Sequence, residues 1–180
     1  MTISIGSPLP ALKVAATGHQ TVDLAALQGS PVVLYFYPRD STPGCTTEAQ
    51  EFRDLMPEFD ALGCRVFGIS RDTMASHDRF KANECLPFEL LSDGDEVLCH
   101  AFDVIRLKNM YGKQVLGLER STFLFGRDGL VPRLKPAWRA YLRADFHPRQ
   151  QDDAAATRWL REHADVAVPV NAGRDGLQPA

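Results

Sequence analysis

The chain has 180 residues, of which 44% are hydrophobic and 24% are charged, and its formal net charge is -3 at pH 7. This size and composition fit one compact domain with a hydrophobic core, and the acidic balance excludes the global basic character of many nucleic-acid-binding proteins. No window reaches the roughly 18 apolar residues of a membrane span, and residues 1–6 lack the features of a secretion signal, so we expect a protein of the reducing cytoplasm.

The first half of the chain predicts a hairpin, a central strand and a helix. Residues 1–30 carry short strand signals separated by glycines and prolines, which predict an N-terminal β-hairpin beside the main sheet. Residues 32–37 (VVLYFY) are continuously apolar, as in a strand covered on both faces. Helical spacing then runs from Thr42 to Gly63, with Pro57 expected to bend the helix.

The second half continues the alternation of strands and helices. Residues 65–70 predict a second buried strand, and Asp72 or Thr73 caps a helix that runs to about Cys85. The remaining predictions are a short helix at 95–102, a surface excursion at 103–118, a strand at 120–125, a turn at 127–129, a strand at 130–134 and a helix at 151–163.

This order of elements predicts an α/β fold of the thioredoxin-like type, with a central mixed sheet flanked by helices. We expect a single domain over residues 1–164. Residues 165–180 contain several glycines and prolines and are predicted to form a flexible C-terminal tail. The arginine-rich stretch 127–161 lacks interleaved aromatic residues or a binding motif, which favours a solvated surface.

One cysteine lies in a chemically unusual position. Thr42 and Pro43 predict an N-cap and a first helical residue, so Cys45 would be the third residue of the helix. Thiolate is the reactive form of cysteine, and helix N-termini and neighbouring cations favour it. We therefore predict that Cys45 is a nucleophile, although a cysteine at a helix start is more often a small buried residue.

Three other side chains fit that chemistry. The hydroxyl of Thr42, one turn before Cys45, can donate to the sulfur or to an incoming oxygen. Arg120 begins an otherwise apolar strand, where an unpaired guanidinium is costly, so we expect it to point at an anion. Glu48 lies three residues after Cys45 on the same helical face, well placed to orient that arginine. Each signal is weak alone, and their conjunction carries the prediction.

These residues resemble a known family. Residues 35–48 (YFYPRDSTPGCTTE) are similar to the active-site signature of peroxiredoxins, specifically the peroxiredoxin Q or bacterioferritin comigratory protein subfamily, and the resemblance extends over about 3–135. It includes the segments 68–72, 76–77, 90–93, 101–104 and 119–124. The resemblance implies a peroxidatic Cys45, activating and transition-state-binding roles for Thr42 and Arg120, a shielding role for Pro38, and a positioning role for Glu48.

The implied function is a thiol-dependent peroxidase for hydrogen peroxide and organic hydroperoxides. Cys45 would attack a peroxide oxygen and become a sulfenic acid, with no metal, haem or other cofactor. A second thiol would then form a disulfide that thioredoxin or a similar reductant opens. The expected state is a monomer, with a weak homodimer as the alternative.

The resolving thiol departs from the family pattern. The two positions that commonly carry it are Gln50 and Lys81 here, and Cys85 lies four residues after Lys81 on nearly the same helical face. Cys85 is therefore the resolving candidate, and its alternative is a one-cysteine peroxidase recycled by an external thiol. Disulfide geometry would require the first turn of the helix at Cys45 to unwind.

Two cysteines are predicted to be structural, and the five histidines show no metal-binding pattern. Cys64 and Cys99 are interpreted as structural residues, and the four cysteines have neither disulfide-framework nor zinc-site spacing. His77 and His100 are predicted to lie on helix surfaces.

Two other functions compete with the peroxidase. A redox-regulated binding or chaperone-like protein could use the same scaffold, but a binder would not need Thr42, Cys45 and Arg120 together. A disulfide oxidoreductase is disfavoured because residues 42 and 48 are not cysteines, so Cys45 has no Cys-x-x-Cys partner.

Overall fold

The computed structural model of the protein describes residues 3, 6–110, 113–130 and 170–171, without the side chains of 108–110, 113, 170 and 171. Within these residues, no helix combines the length and apolarity needed to cross a bilayer. The strands are β1 (Lys13–Ala16), β2 (Gln20–Asp23), β3 (Val32–Phe36), β4 (Arg65–Ser70), β5 (Glu89–Ser92), β6 (Ile105–Met110), β7 (Lys113–Leu118), β8 (Ser121–Phe125) and β9 (Val170–Asn171). The helices are α1 (Pro43–Asp54), α2 (Met56–Ala61), α3 (Met74–Glu84) and α4 (Val97–Ala101), with a short 3-10 turn at Leu24–Leu27.

A mixed seven-stranded sheet forms the centre of the molecule, in the order β2-β1-β5-β4-β3-β8-β9. Strands β3, β4 and β5 are parallel, whereas β8 runs antiparallel to β3 and the β1–β2 hairpin joins β5 at the other side. This mixed sheet flanked by helices is the predicted thioredoxin-like α/β fold. The predicted N-terminal hairpin is confirmed.

Strand β3 is buried on both faces, as its apolar run predicts. On one face the ring of Tyr35 stacks on Phe52 of α1, with centroids 4.5 Å apart, and lies 5.5 Å from Tyr37. On the other face Phe36 lies 5.0 Å from Phe102 and 5.6 Å from Phe123. Because successive side chains of a strand point to opposite faces, this one strand connects the two halves of the core.

The predicted long helix from Thr42 to Gly63 is two helices in the structure. Helix α1 ends at Asp54, Leu55 caps it, and α2 begins at Met56. Pro57 has no N–H to donate to the carbonyl one turn earlier, so the expected bend becomes a break.

Two further parts of the chain differ from the prediction. Strand β5 is not predicted from the sequence, because its four residues (ELLS) show neither strict alternation nor a longer apolar run, although Leu90 and Leu91 are completely buried. The surface excursion at 103–118 contains a regular antiparallel hairpin, β6–β7, that forms a separate two-stranded sheet.

The C-terminal predictions are covered only in part. The turn at 127–129 is present, with the Gly129 N–H donating to the Gly126 carbonyl over 2.9 Å. Val170 and Asn171 of the predicted tail form β9, antiparallel to β8. The predicted strand beyond residue 130 and the helix at 151–163 lie outside the described residues, and the domain boundary at 164 stays a prediction.

A glycine in β4 makes room for the core ring of Tyr35. A Cβ atom on Gly68 would lie 2.6 Å from both Cζ and Oη of Tyr35 and 2.8 Å from Cδ2 of Leu90. We expect Gly68→Ala to lower the free energy of unfolding by about 1–3 kcal/mol, because a buried ring must move. Urea unfolding measures the loss. Gly94→Ala is the control, since its Cβ would meet nothing closer than 4.0 Å, and a change within about 0.5 kcal/mol is expected there. Equal effects of the two substitutions would contradict the packing argument.

Candidate active site

Cys45 is the third residue of α1, as the sequence predicts, and only 2% of it is exposed. The first backbone hydrogen bond of the helix runs from the Thr46 N–H to the Thr42 carbonyl over 2.8 Å. The N–H groups of Gly44 and Cys45 therefore have no acceptor one turn earlier in the helix. The sulfur lies at the positive end of the helix dipole, where backbone donors can stabilise an anion.

Arg120 contacts both Cys45 and Glu48. Its Nη2 lies 3.2 Å from the sulfur of Cys45, and its Nη1 forms an ion pair with Oε2 of Glu48. Glu48 is 1% exposed, so the carboxylate fixes the guanidinium from inside the protein. The structure thus brings together three predicted site residues, one of them 75 positions from Cys45 along the chain.

The sheet explains how Arg120 reaches the helix. Strand β8 runs antiparallel to β3, and Ser121 is paired with Phe36, the last residue of β3. Arg120 precedes Ser121 and therefore lies beside the end of β3, where the chain turns into α1. Its position depends on strand register.

Thr42 and Pro38 lie in the segment that joins β3 to α1. Thr42 occupies the N-cap position in an extended conformation, but its side chain makes no capping hydrogen bond. Its hydroxyl instead donates to the carbonyl oxygen of Arg39 over 3.0 Å, so the predicted donation to the sulfur is not the arrangement seen. Pro38 follows Tyr37 and is half-buried. The predicted roles of both residues remain predictions.

The four cysteines are all free, and their environments differ. Cys85 is exposed at the C-terminal cap of α3, in a left-handed conformation with φ of 52°. Cys64 and Cys99 are each at most 2% exposed. Burial raises the pKa of the Cys64 thiol to about 12, and burial together with the hydrogen bond and charge of Asp93 raises the pKa of Cys99 well above its usual range.

The residues at the two family positions for a resolving thiol are engaged elsewhere. Gln50 donates from Nε2 to Oε2 of Glu84 over 2.7 Å, and Lys81 pairs with Glu89 at 2.6 Å. Arg53, one turn after Gln50, donates to the Glu84 carbonyl over 3.0 Å. The contacts of Gln50 and Arg53 with Glu84 bring the middle of α1 against the end of α3, next to Cys85.

The prediction that His77 lies on a helix surface is wrong, whereas His100 is exposed as predicted. His77 is completely buried, with Nδ1 3.0 Å from Oδ2 of Asp40. The sequence carried a signal, because His77 lies three residues before the core residue Phe80 and so shares its face of α3. Tyr37 completes this cluster by donating to Oδ1 of Asp40 over 2.7 Å.

No group of histidine, cysteine or acidic side chains within residues 6–110 and 113–130 is arranged to hold a metal ion.

Comparison with known proteins identifies the family. A profile of the AhpC/TSA family matches residues 5–133. Peroxiredoxin Bcp of Xanthomonas campestris is 55% identical over 128 residues, which cover 71% of this chain and 78% of that protein. Peroxiredoxin Bcp of Bacillus subtilis is 46% identical over 139 residues, covering 77% and 87% of the two chains.

Solved structures agree with the sequence relatives. The structure of peroxiredoxin Q from Xanthomonas campestris has a TM-score of 0.71 at 47% identity and covers 87% of this chain and 96% of its own. A structure from work on alkyl peroxide reduction by the bacterioferritin comigratory protein of the same organism has a TM-score of 0.72 at 45% identity, with coverage of 89% and 99%. From these matches over most of its length, the chain belongs to the AhpC/TSA family, within the peroxiredoxin Q and Bcp subfamily, and is a thiol-dependent peroxidase.

Proposed function

We propose that Cys45 is the peroxidatic cysteine of this peroxidase and that Arg120, Glu48, Thr42 and Pro38 form its site. One observation carries the proposal: the Arg120 guanidinium lies 3.2 Å from the Cys45 sulfur while the buried carboxylate of Glu48 holds it. A cation in contact with a cysteine at a helix start stabilises the thiolate and the charge that develops when the thiolate reacts.

The chemical step is a displacement on oxygen. The thiolate of Cys45 attacks the terminal oxygen of a hydroperoxide, the S–O bond forms as the O–O bond breaks, and the sulfur is oxidised to a sulfenic acid. The leaving oxygen departs as an alkoxide or hydroxide and takes a proton from solvent to become an alcohol or water. Arg120 and the N–H groups at the start of α1 stabilise the negative charge on the oxygens.

Thr42 acts as an acceptor in this scheme. Its hydroxyl proton is engaged by the Arg39 carbonyl, which leaves the lone pairs of Oγ1 free for the O–H of the peroxide. This orients the terminal oxygen toward the sulfur. Pro38 shields the pocket from water.

Substrate and reductant follow from the family. We propose hydrogen peroxide and organic hydroperoxides as substrates, in line with the alkyl peroxide reduction of the Xanthomonas campestris protein, and thioredoxin as the reductant. The reducing cytoplasm is the compartment in which four free cysteines persist. A monomer suffices for the proposed site, because Cys45, Glu48 and Arg120 belong to one chain, and gel filtration distinguishes a monomer from a homodimer.

We propose Cys85 as the resolving thiol. It is the exposed cysteine, and it follows Glu84, whose side chain and carbonyl contact Gln50 and Arg53 of α1. The Cys85 thiol would condense with the sulfenic acid of Cys45, forming a disulfide and releasing water. Cys45 is buried in the first turn of α1, so that turn must unwind before the two sulfurs can meet.

The role of Arg120 is tested by substitution. Arg120→Ala should slow oxidation of Cys45 by hydrogen peroxide about 10²–10³-fold, because a fixed donor to the developing charge is lost. Quenched-flow alkylation with mass spectrometry measures the sulfenic acid formed. The exposed Arg127 provides the control, and Arg127→Ala should react at the wild-type rate. A wild-type rate in Arg120→Ala, or unchanged peroxide turnover in Cys45→Ser, would overturn the proposed site.

Cys85 is tested through the product of one turnover. After one equivalent of peroxide, the wild-type protein should contain a Cys45–Cys85 disulfide, and Cys85→Ser should retain Cys45 as sulfenic acid and lose coupling to thioredoxin. Peptide mass spectrometry without reduction distinguishes the products. Cys99→Ala should still form the disulfide. A wild-type protein that yields only sulfenic acid would instead be a one-cysteine peroxidase, which an external thiol must reduce.

The high pKa of the buried thiols predicts their reactivity. In native Cys45→Ser protein at pH 8, iodoacetamide should alkylate Cys85, whereas Cys64 and Cys99 stay protonated and enclosed. Urea should expose all three remaining cysteines to the reagent. Peptide mapping over time measures each rate, and labelling of Cys64 or Cys99 as fast as Cys85 in the native protein would refute the assignment.

A further inference from the structure

A buried polar cluster lies under the turn that joins β3 to α1. We call it the turn anchor, and it consists of Tyr37, Asp40 and His77, exposed by 1%, 7% and 0%. The Tyr37 hydroxyl donates to Oδ1 of Asp40 over 2.7 Å. Nδ1 of His77 lies 3.1 Å from Oδ1 and 3.0 Å from Oδ2 of the same carboxylate. The carboxylate thus ties the end of β3 to α3.

The backbone of Asp40 is held as well. Its N–H donates over 2.8 Å to Oδ2 of Asp72, the same oxygen that accepts the Ser70 hydroxyl over 2.7 Å at the end of β4. The next residue, Ser41, has a φ of 56°, in the left-handed region that non-glycine residues rarely adopt. A turn with this conformation persists only where its surroundings hold it, and here α3 and β4 do so through Asp40.

The charges in the turn anchor are consistent with this arrangement. Burial alone would raise the pKa of Asp40, but the hydrogen bond and charge of His77 and the Tyr37 hydroxyl lower it overall, so Asp40 is a carboxylate. Burial and the neighbouring Tyr35 and Asp40 raise the pKa of Tyr37 well above its ordinary value, so its hydroxyl remains a donor. Nε2 of His77 has no hydrogen-bond partner among the described residues. Burying polar and charged groups costs free energy, so a buried cluster of this kind need not stabilise the fold. Its presence here favours a role in holding the geometry of the turn.

We infer that His77, Asp40 and Tyr37 are positioning residues for the peroxide reaction. They fix the turn at Asp40, two residues before Thr42 and five before Cys45, and so set where the sulfur meets the Arg120 guanidinium. The inference rests on the proposed role of Cys45. A displacement of about 1 Å at a reacting atom can cost about 10²-fold in rate, so the turn need not unfold for the reaction to slow.

The test compares two substitutions of the same residue. His77→Leu keeps much of the volume and removes the donor to Asp40, whereas the side-chain amide of His77→Gln can donate to it again. We expect Cys45 oxidation by hydrogen peroxide to slow about 10- to 100-fold in His77→Leu and to stay within about threefold of wild type in His77→Gln.

Two further variants separate positioning from lost stability. Val22→Ala removes buried volume from β2, at the far side of the sheet from β3, and should leave Cys45 oxidation at the wild-type rate despite a lower melting temperature. Tyr37→Phe removes a single hydroxyl, and a severalfold slower oxidation is expected. If His77→Leu does not fold, the rate of Cys45 oxidation in Tyr37→Phe tests the inference instead.

The outcomes that overturn the inference are specific. If His77→Leu and Tyr37→Phe fold and react at the wild-type rate, the inference about positioning is overturned, while the proposed role of Cys45 is not. The same holds if Val22→Ala slows Cys45 oxidation as much as His77→Leu does. If wild-type Cys45 forms no sulfenic acid with peroxide, the proposed role of Cys45 fails, and the inference fails with it.

Discussion

The contact between the Arg120 guanidinium and the Cys45 sulfur depends on the register of two strands. Strand β8 pairs antiparallel with β3 so that Ser121 faces Phe36, and Arg120 therefore lies where β3 ends and α1 approaches. A slip of one residue would turn every side chain of β8 to the opposite face and remove the guanidinium from the site. The rings of Phe36 and Phe123 pack across the same two strands, so the hydrophobic core and the candidate active site depend on the same pairing.

Helix α1 meets two opposing demands in the proposed cycle. Its first turn must hold Cys45 beside Arg120 while peroxide reacts, and it must release Cys45 to reach an exposed thiol afterwards. Besides the packing of Phe52 on Tyr35, polar contacts with other parts of the protein hold the helix: the pair between Glu48 and Arg120, the bonds from Gln50 and Arg53 to Glu84, and the turn anchor just before Thr42. Polar contacts of this kind contribute modest net free energies, which suits a segment that must open locally.

The parts of the fold that the sequence predicted are those with strong local patterns. The apolar run of β3, the helical spacing after Thr42 and the turn at 127–129 are all present. Prediction failed where the pattern was short or ambiguous. Strand β5 has four residues, Pro57 broke the helix it was expected to bend, and the mixed polarity of 103–118 concealed the β6–β7 hairpin. His77 was misplaced because a polar residue on a helix is usually exposed, and only its spacing from Phe80 indicated otherwise.

The sequence by itself determined that Cys45 lies in the first turn of the helix that follows a buried strand along the chain. Helix caps, proline and apolar periodicity are signals that extend over only a few residues. The motif around it also determined the family. The sequence also predicted that Glu48 would orient Arg120, but the tertiary structure decided the distance of 3.2 Å between the guanidinium and the sulfur, and it alone showed that His77 and Asp40 meet beneath the turn. These contacts join residues of different elements, and their geometry follows from strand register and helix packing, which local sequence patterns do not encode.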